Sequence, residues 1–263
     1  GVLNANGGYG NIITADGADS ELRVAGVTSL AATSVSVQGG SLVTFDSASL
    51  LSNVGLYADG GGQILFPVAT SYTGNNYGNT GIQASGLGSR IDLSHLLTFD
   101  GGGGYVDSHG YGHAYATYVN ALAGGKVALS GVLNANGGYG NIITADGAGS
   151  ALGVAAITSI SATSLSAANG AVWIFPAGWH PTWGSGNTLS ASGPGNQLVN
   201  RGVLTVRGTS LPINTSDFAN EGVLDPQSGS NFDFNGSLRV DQFGILTGTT
   251  GGTFTISGNL LGD

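Results

Sequence analysis

Hydrophobic and polar positions alternate in short runs along most of this chain. Gln63-Ile64-Leu65-Phe66 and Ser89-Arg90-Ile91-Asp92-Leu93 are typical. A period of two puts every second side chain on one face of a strand, so the pattern predicts many short β-strands. A small residue, a polar residue and a glycine precede most runs. The instances are Ala15-Asp16-Gly17, Val37-Gln38-Gly39, Ala58-Asp59-Gly60, Ala84-Ser85-Gly86, Ala145-Asp146-Gly147, Ala168-Asn169-Gly170 and Ala191-Ser192-Gly193. Their glycines step by 22, 21 and 26 residues, then, after a gap holding Ala123-Gly124-Gly125, by 23 and 23. Glycine reaches positive φ at little steric cost, so each triplet predicts a corner.

A longer period overlies the short one. Gly1 to Ala18 recurs unchanged as Gly131 to Ala148, and a looser match carries the duplicated block over 1–36 and 131–166. Ala58 to Pro67 aligns with Ala167 to Pro176, yet the second copy comes one short unit sooner. Whole units can be lost in this way when each touches only its neighbours. The chain therefore predicts an all-β fold, a β-solenoid with coils of about 20–23 residues, each burying its apolar face against the next. At roughly 4.8 Å per coil, eleven or so coils would make a rod about 50 Å long. A sandwich or barrel is the alternative, but neither requires a fixed unit that can be dropped. From 199 to 263 the units shorten: Asn200-Arg201-Gly202-Val203-Leu204 returns as Asn220-Glu221-Gly222-Val223-Leu224. This part reads as a continuation of the solenoid formed by 1–198.

Composition narrows the function classes. The 263 residues include 49 glycines, 15 acids and only 6 bases, for a net charge of −9. The bases Arg23, Arg90, Lys126, Arg201, Arg207 and Arg239 are scattered, which argues against a nucleic-acid partner. No apolar run approaches the roughly 20 residues of a membrane helix, so membrane insertion is not expected. Cysteine and methionine are both absent, which removes disulfides and thiolate metal sites. The opening Gly1-Val2-Leu3-Asn4 carries neither Met nor a basic leader, as expected of a mature form or a piece of something longer.

The units at 84–99 (ASGLGSRIDLSHLLTF), 14–30, 199–209 (VNRGVLTVRGT) and 219–230 resemble coils of large secreted bacterial repeat proteins. They are similar to autotransporter passengers and filamentous-haemagglutinin-like adhesins. That resemblance implies a single-stranded right-handed parallel β-helix, export, and a structural or adhesive role at the cell surface. It brings no catalytic residues and no cofactor. Association end to end, or membership of a longer chain, is the partner it suggests.

Three segments break the short repeat, near 70–80, 101–118 and 177–187, and function is expected to concentrate there. Aromatic rings beside amides suit sugars, since a ring stacks on a pyranose while amides bond its hydroxyls. The candidate glycan-contact residues are Tyr72, Asn76, Tyr77, Trp179, His180 and Trp183. The competing reading is that the rings pack on the solenoid. His109 and His113 with Asp107 have a metal-like spacing, but the surrounding glycines predict a solvated loop and no metal site. Gly7-Gly8-Tyr9-Gly10-Asn11-Ile12 and its copy at 137–142 begin like a calcium-binding β-roll, then place Ile where Asp is required. Asp16, Asp59 and Asp146 stand at turns, so no catalytic set is expected. A glycan-degrading enzyme, the remote alternative, would need three carboxylates converging in one groove.

Overall fold

The computed structural model describes residues 2–4, 10–135, 139–193, 195–248 and 251–262. These residues form strands joined by turns, with no helix among them. Neighbouring strands in space come from successive coils and pair in parallel, with the same coil position opposite itself. The chain is a parallel β-solenoid.

Inward ladders hold the coils together, and three of them run through most of the chain. The first runs Ile13, Val35, Leu56, Ile82, Val119, Ile143, Leu165, Leu189, Ile213, Phe234 and Ile256, one residue from each of eleven coils. The second runs Leu22, Val43, Ile64, Ile91, Val127 and Leu152. It is followed by Trp173, Leu198, Phe218, Leu238 and Leu260, whose strands form a separate five-stranded sheet. The third runs Leu30, Leu51, Tyr72, Phe99, Leu133, Ile160, Trp183, Val206 and Pro226. Identical positions stack at the inter-strand spacing of about 4.8 Å. Aromatic neighbours on a ladder must therefore lie face to face. Phe45 and Phe66 do so at 4.8 Å and 4°, Tyr72 and Phe99 at 4.6 Å and 7°.

The corners follow from backbone conformation. All seven glycines of the repeated triplets have positive φ, from 56° at Gly60 to 111° at Gly17. Buried serine hydroxyls complete this corner: Ser89 donates to Ser85 O and accepts from Gly61 N–H, and Ser150 accepts from Gly124 N–H. The next corner but one uses glycine in some coils, as at Gly10 and Gly140, and other residues elsewhere. There Ala32, Asn53 and Ala162 take φ of 45°, 52° and 47° between the third ladder and the first. The Asn-x-Gly-Val-Leu repeat is a further corner. Asn200 and Asn220 are fully buried, and the Asn200 amide donates to Asn220 Oδ1 at 2.8 Å.

Coil length on the first ladder is 21 to 26 residues, except that Val119 follows Ile82 by 37. The surplus is a hairpin. Gly103–Val106 runs antiparallel to the start of Gly112–Leu122, the one antiparallel pair among the described strands. Of the three predicted interruptions, this alone leaves the rod. The segments near 70–80 and 177–187 contain the coil strands Ser71–Thr73 and Thr182–Trp183.

Ladder residues and outward residues of one strand should respond differently to truncation. Ile82→Ala is expected to cost about 2–5 kcal/mol in urea unfolding, because the coils on either side hold the cavity open. Gln83→Ala, one position along and facing out, should stay within about 0.5 kcal/mol.

Candidate functional site

The structure divides the six sequence-predicted contact residues. Tyr72 and Trp183 have no exposed surface, and Trp179 is 3% exposed. They are ladder and core residues, so a glycan-facing role for these three is withdrawn. Tyr72 stacks on Phe99 and donates its phenol O–H to Val54 O at 3.0 Å. Burial pushes that phenol far above its ordinary pKa. Trp179 donates its indole N–H to Ile157 O at 2.7 Å and stacks on Phe175 at 5.0 Å. Coil spacing was the signal that could have placed them. Tyr72 lies 21 residues after Leu51, and Trp183 lies 23 after Ile160. Asn76, Tyr77 and His180 are exposed, but the two tryptophans flanking His180 are buried.

Asn76 and Tyr77 belong to a surface that sequence reasoning found only in part. Tyr77 packs against Tyr105 of the hairpin at 5.1 Å, Tyr105 stacks on His113 at 4.6 Å, and Tyr115 lies 6.5 Å from Tyr105. Tyr139 donates its N–H to Tyr115 O. On the adjacent strands Tyr57 covers Gly55 and Gly81, and Gly81 pairs with Tyr118. Tyr57, Tyr77, Tyr111, Tyr118 and Tyr139 all keep at least 36% of their surface exposed. Two adjoining cavities of about 250 and 260 Å³ open beside these rings. They share Ala32 and Asn53, and are lined further by Tyr57 and Asn79 on one side and by Asn75, Asn76 and Tyr77 on the other.

Close backbone approach fixes this surface. A Cβ on Gly103 would sit 2.3 Å from Asn75 O, and one on Gly74 would sit 2.6 Å from Gly102 O. The glycines let the hairpin base lie directly on the 74–76 corner. Asn75 Oδ1 accepts the Tyr77 N–H, and Asn79 Oδ1 accepts the Ala116 N–H. The hairpin tip is organised by Asp107. Its carboxylate accepts N–H bonds from His109 and Tyr111, both at 2.9 Å, and lies 3.1 Å from His113 Nε2. The stretch predicted as a loop is thus a hairpin closed by one carboxylate. His113 above all, with the Tyr111 and His109 N–H groups, holds Asp107 below its usual range.

A second groove, of about 400 Å³, lies over the outward face of the second ladder. Glu21, Asp46 and Asp92 line it together with Arg23 and His95. Arg23 donates to Asp46 at 2.7 Å, and Arg90 is paired with Asp92. Burial would raise Asp92, but the Ser94 hydroxyl and N–H, Arg90 and His95 outweigh it and hold the carboxyl below its usual range. Among the described residues no group of three His, Asp or Glu is arranged to hold a metal ion. Gly7, Gly8 and Tyr9 and residues 137 and 138 of the calcium-like stretches lie outside the described residues.

The chain matches no protein-family model, no curated protein and no solved structure.

Two substitutions probe these assignments. Tyr72→Phe should destabilise by about 1–3 kcal/mol, because the Val54 carbonyl loses its buried donor. The hairpin should respond to acid. A carboxyl lowered on folding contributes stability above its unfolded pKa of about 3.9, and loses it as pH falls through the lower folded value. Protection of the His109 and Tyr111 amides from hydrogen exchange should therefore collapse below about pH 4, relative to first-ladder amides. Asp107→Asn should remove that step.

Proposed function

We propose that the chain is a non-catalytic structural and adhesive rod of an extracellular, bacterial surface, and that its tyrosine–asparagine face binds neutral glycans. The observation that carries the reading is the contiguous run of exposed tyrosines and amide-lined cavities beside an otherwise regular ladder. Rings supply flat apolar area at low entropic cost, and amides supply paired donors and acceptors for hydroxyls. Lys126 and the arginines are absent from the two cavities. With a net charge of −9, that disfavours anionic sugars. Extension of the rod by further coils, within one chain or between copies, fits the same role.

Titration against neutral oligosaccharides tests it. Tyr57→Ala and Tyr77→Ala should each weaken binding about tenfold or more, equivalent to about 1.4 kcal/mol. Phe243→Ala, an exposed ring in a different groove, should leave affinity unchanged. Equal affinity in all three variants would sink the assignment.

One observation favours a second reading, glycan cleavage: three carboxylates do share the Glu21–Asp46–Asp92 groove. A glycosidase acid, however, needs a carboxyl raised towards neutrality, and Asp92 is moved the other way. Release of reducing ends from a polysaccharide panel, lost in both Asp46→Asn and Asp92→Asn, would establish this reading in place of the first.

A further inference from the structure

We infer that Tyr77 and Tyr105 form an oxidative coupling site, where a dityrosine bond staples the hairpin to the rod. Composition and geometry lead there independently of any glycan. Thiols and thioethers are ordinarily the first side chains oxidised, and this chain has neither cysteine nor methionine. Its three tryptophans, the next electron donors, are all buried. Surface oxidising equivalents therefore fall on tyrosine, and Tyr77 is 74% exposed.

Two tyrosine pairs are in ring contact among the described residues. Tyr105 and Tyr115 lie near-parallel at 6.5 Å, on one sheet. Tyr77 and Tyr105 are closer, with ring centroids at 5.1 Å and planes tilted by 44°. Both partners are held in place. Asn75 Oδ1 fixes the Tyr77 N–H, while Tyr105 is paired in register with His113 and stacked on its ring. The backbones beneath them approach closely where Gly103 meets Asn75.

The chemistry balances with a peroxide as oxidant, delivered by a haem peroxidase. Each phenol loses one hydrogen atom from oxygen, giving two phenoxyl radicals with spin on the ortho carbons. Those carbons form one C–C bond, and the displaced ortho hydrogens return to the phenol oxygens. The peroxide accepts the two abstracted hydrogens and leaves as two waters. The product adds a side-chain cross-link between hairpin and rod in a chain that has no cysteine to form one.

The test treats the dilute purified chain with hydrogen peroxide and a haem peroxidase. The expected product is a monomer two hydrogen atoms lighter, with dityrosine fluorescence and a digest fragment joining residues 77 and 105. Tyr77→Phe and Tyr105→Phe keep the ring and the packing, and each should abolish that fragment, whereas Tyr111→Phe should retain it. Coupling found only between molecules, or a monomer cross-link that persists in Tyr77→Phe, would overturn the proposal. Either result would leave the glycan titration untouched.

Discussion

In-register parallel pairing between coils is the constraint from which the rest of the molecule follows. Once Leu56 is paired with Ile82 and Ile82 with Val119, every inward position has the same position of the next coil as its neighbour. Apolar shape must then match along the axis, not around a closed core. This explains why aliphatic residues fill the first ladder for nine coils before Phe234. It also explains why the large rings occur in adjacent coils, as Phe45 on Phe66 and Tyr72 on Phe99. Polar residues obey the same rule where they are buried: Asn200 can afford its burial because Asn220 stacks on it and accepts its amide N–H.

Much of this was legible in the sequence, because the corner that repeats most faithfully is chemically marked. A tight turn needing positive φ selects glycine, so Gly17, Gly39, Gly60 and the later members announced one corner of each coil. The corner at Ala32, Asn53 and Ala162 has the same backbone requirement, met by Gly10 and Gly140 in adjacent coils, but at these three positions the stacked coils impose it on residues with a Cβ. Strain of that kind is sustained by the surrounding structure and leaves no mark in composition.

The aromatic residues show where local reading fails. Glycine and asparagine beside Tyr72, Trp179 and Trp183 looked like loop chemistry, in segments that break the short repeat and were expected to carry function. Ladder position overrides that context, since a side chain one coil-length from Leu51 or Ile160 must point inward. The surface that does gather exposed rings depends on tyrosines far apart in the chain, such as Tyr57 and Tyr118, 61 positions apart and meeting over Gly81. Neither is an interruption tip, and only the stacking of coils brings them together. The hairpin adds to this surface without altering the ladders, since Thr117 to Leu122 resume pairing with Thr80 to Ser85.

If the ladders are the organising interaction, one coil should be removable. Deleting residues 38–58 joins Val37 to Asp59 and puts Val37 where Ala58 stood, with inward and outward positions preserved. Small-angle X-ray scattering of the shortened chain measures the outcome. The account predicts a folded rod with the same cross-section, shorter by one strand spacing of about 4.8 Å. An expanded, unfolded scattering profile would contradict it, because it would mean that the coils depend on contacts beyond their immediate neighbours.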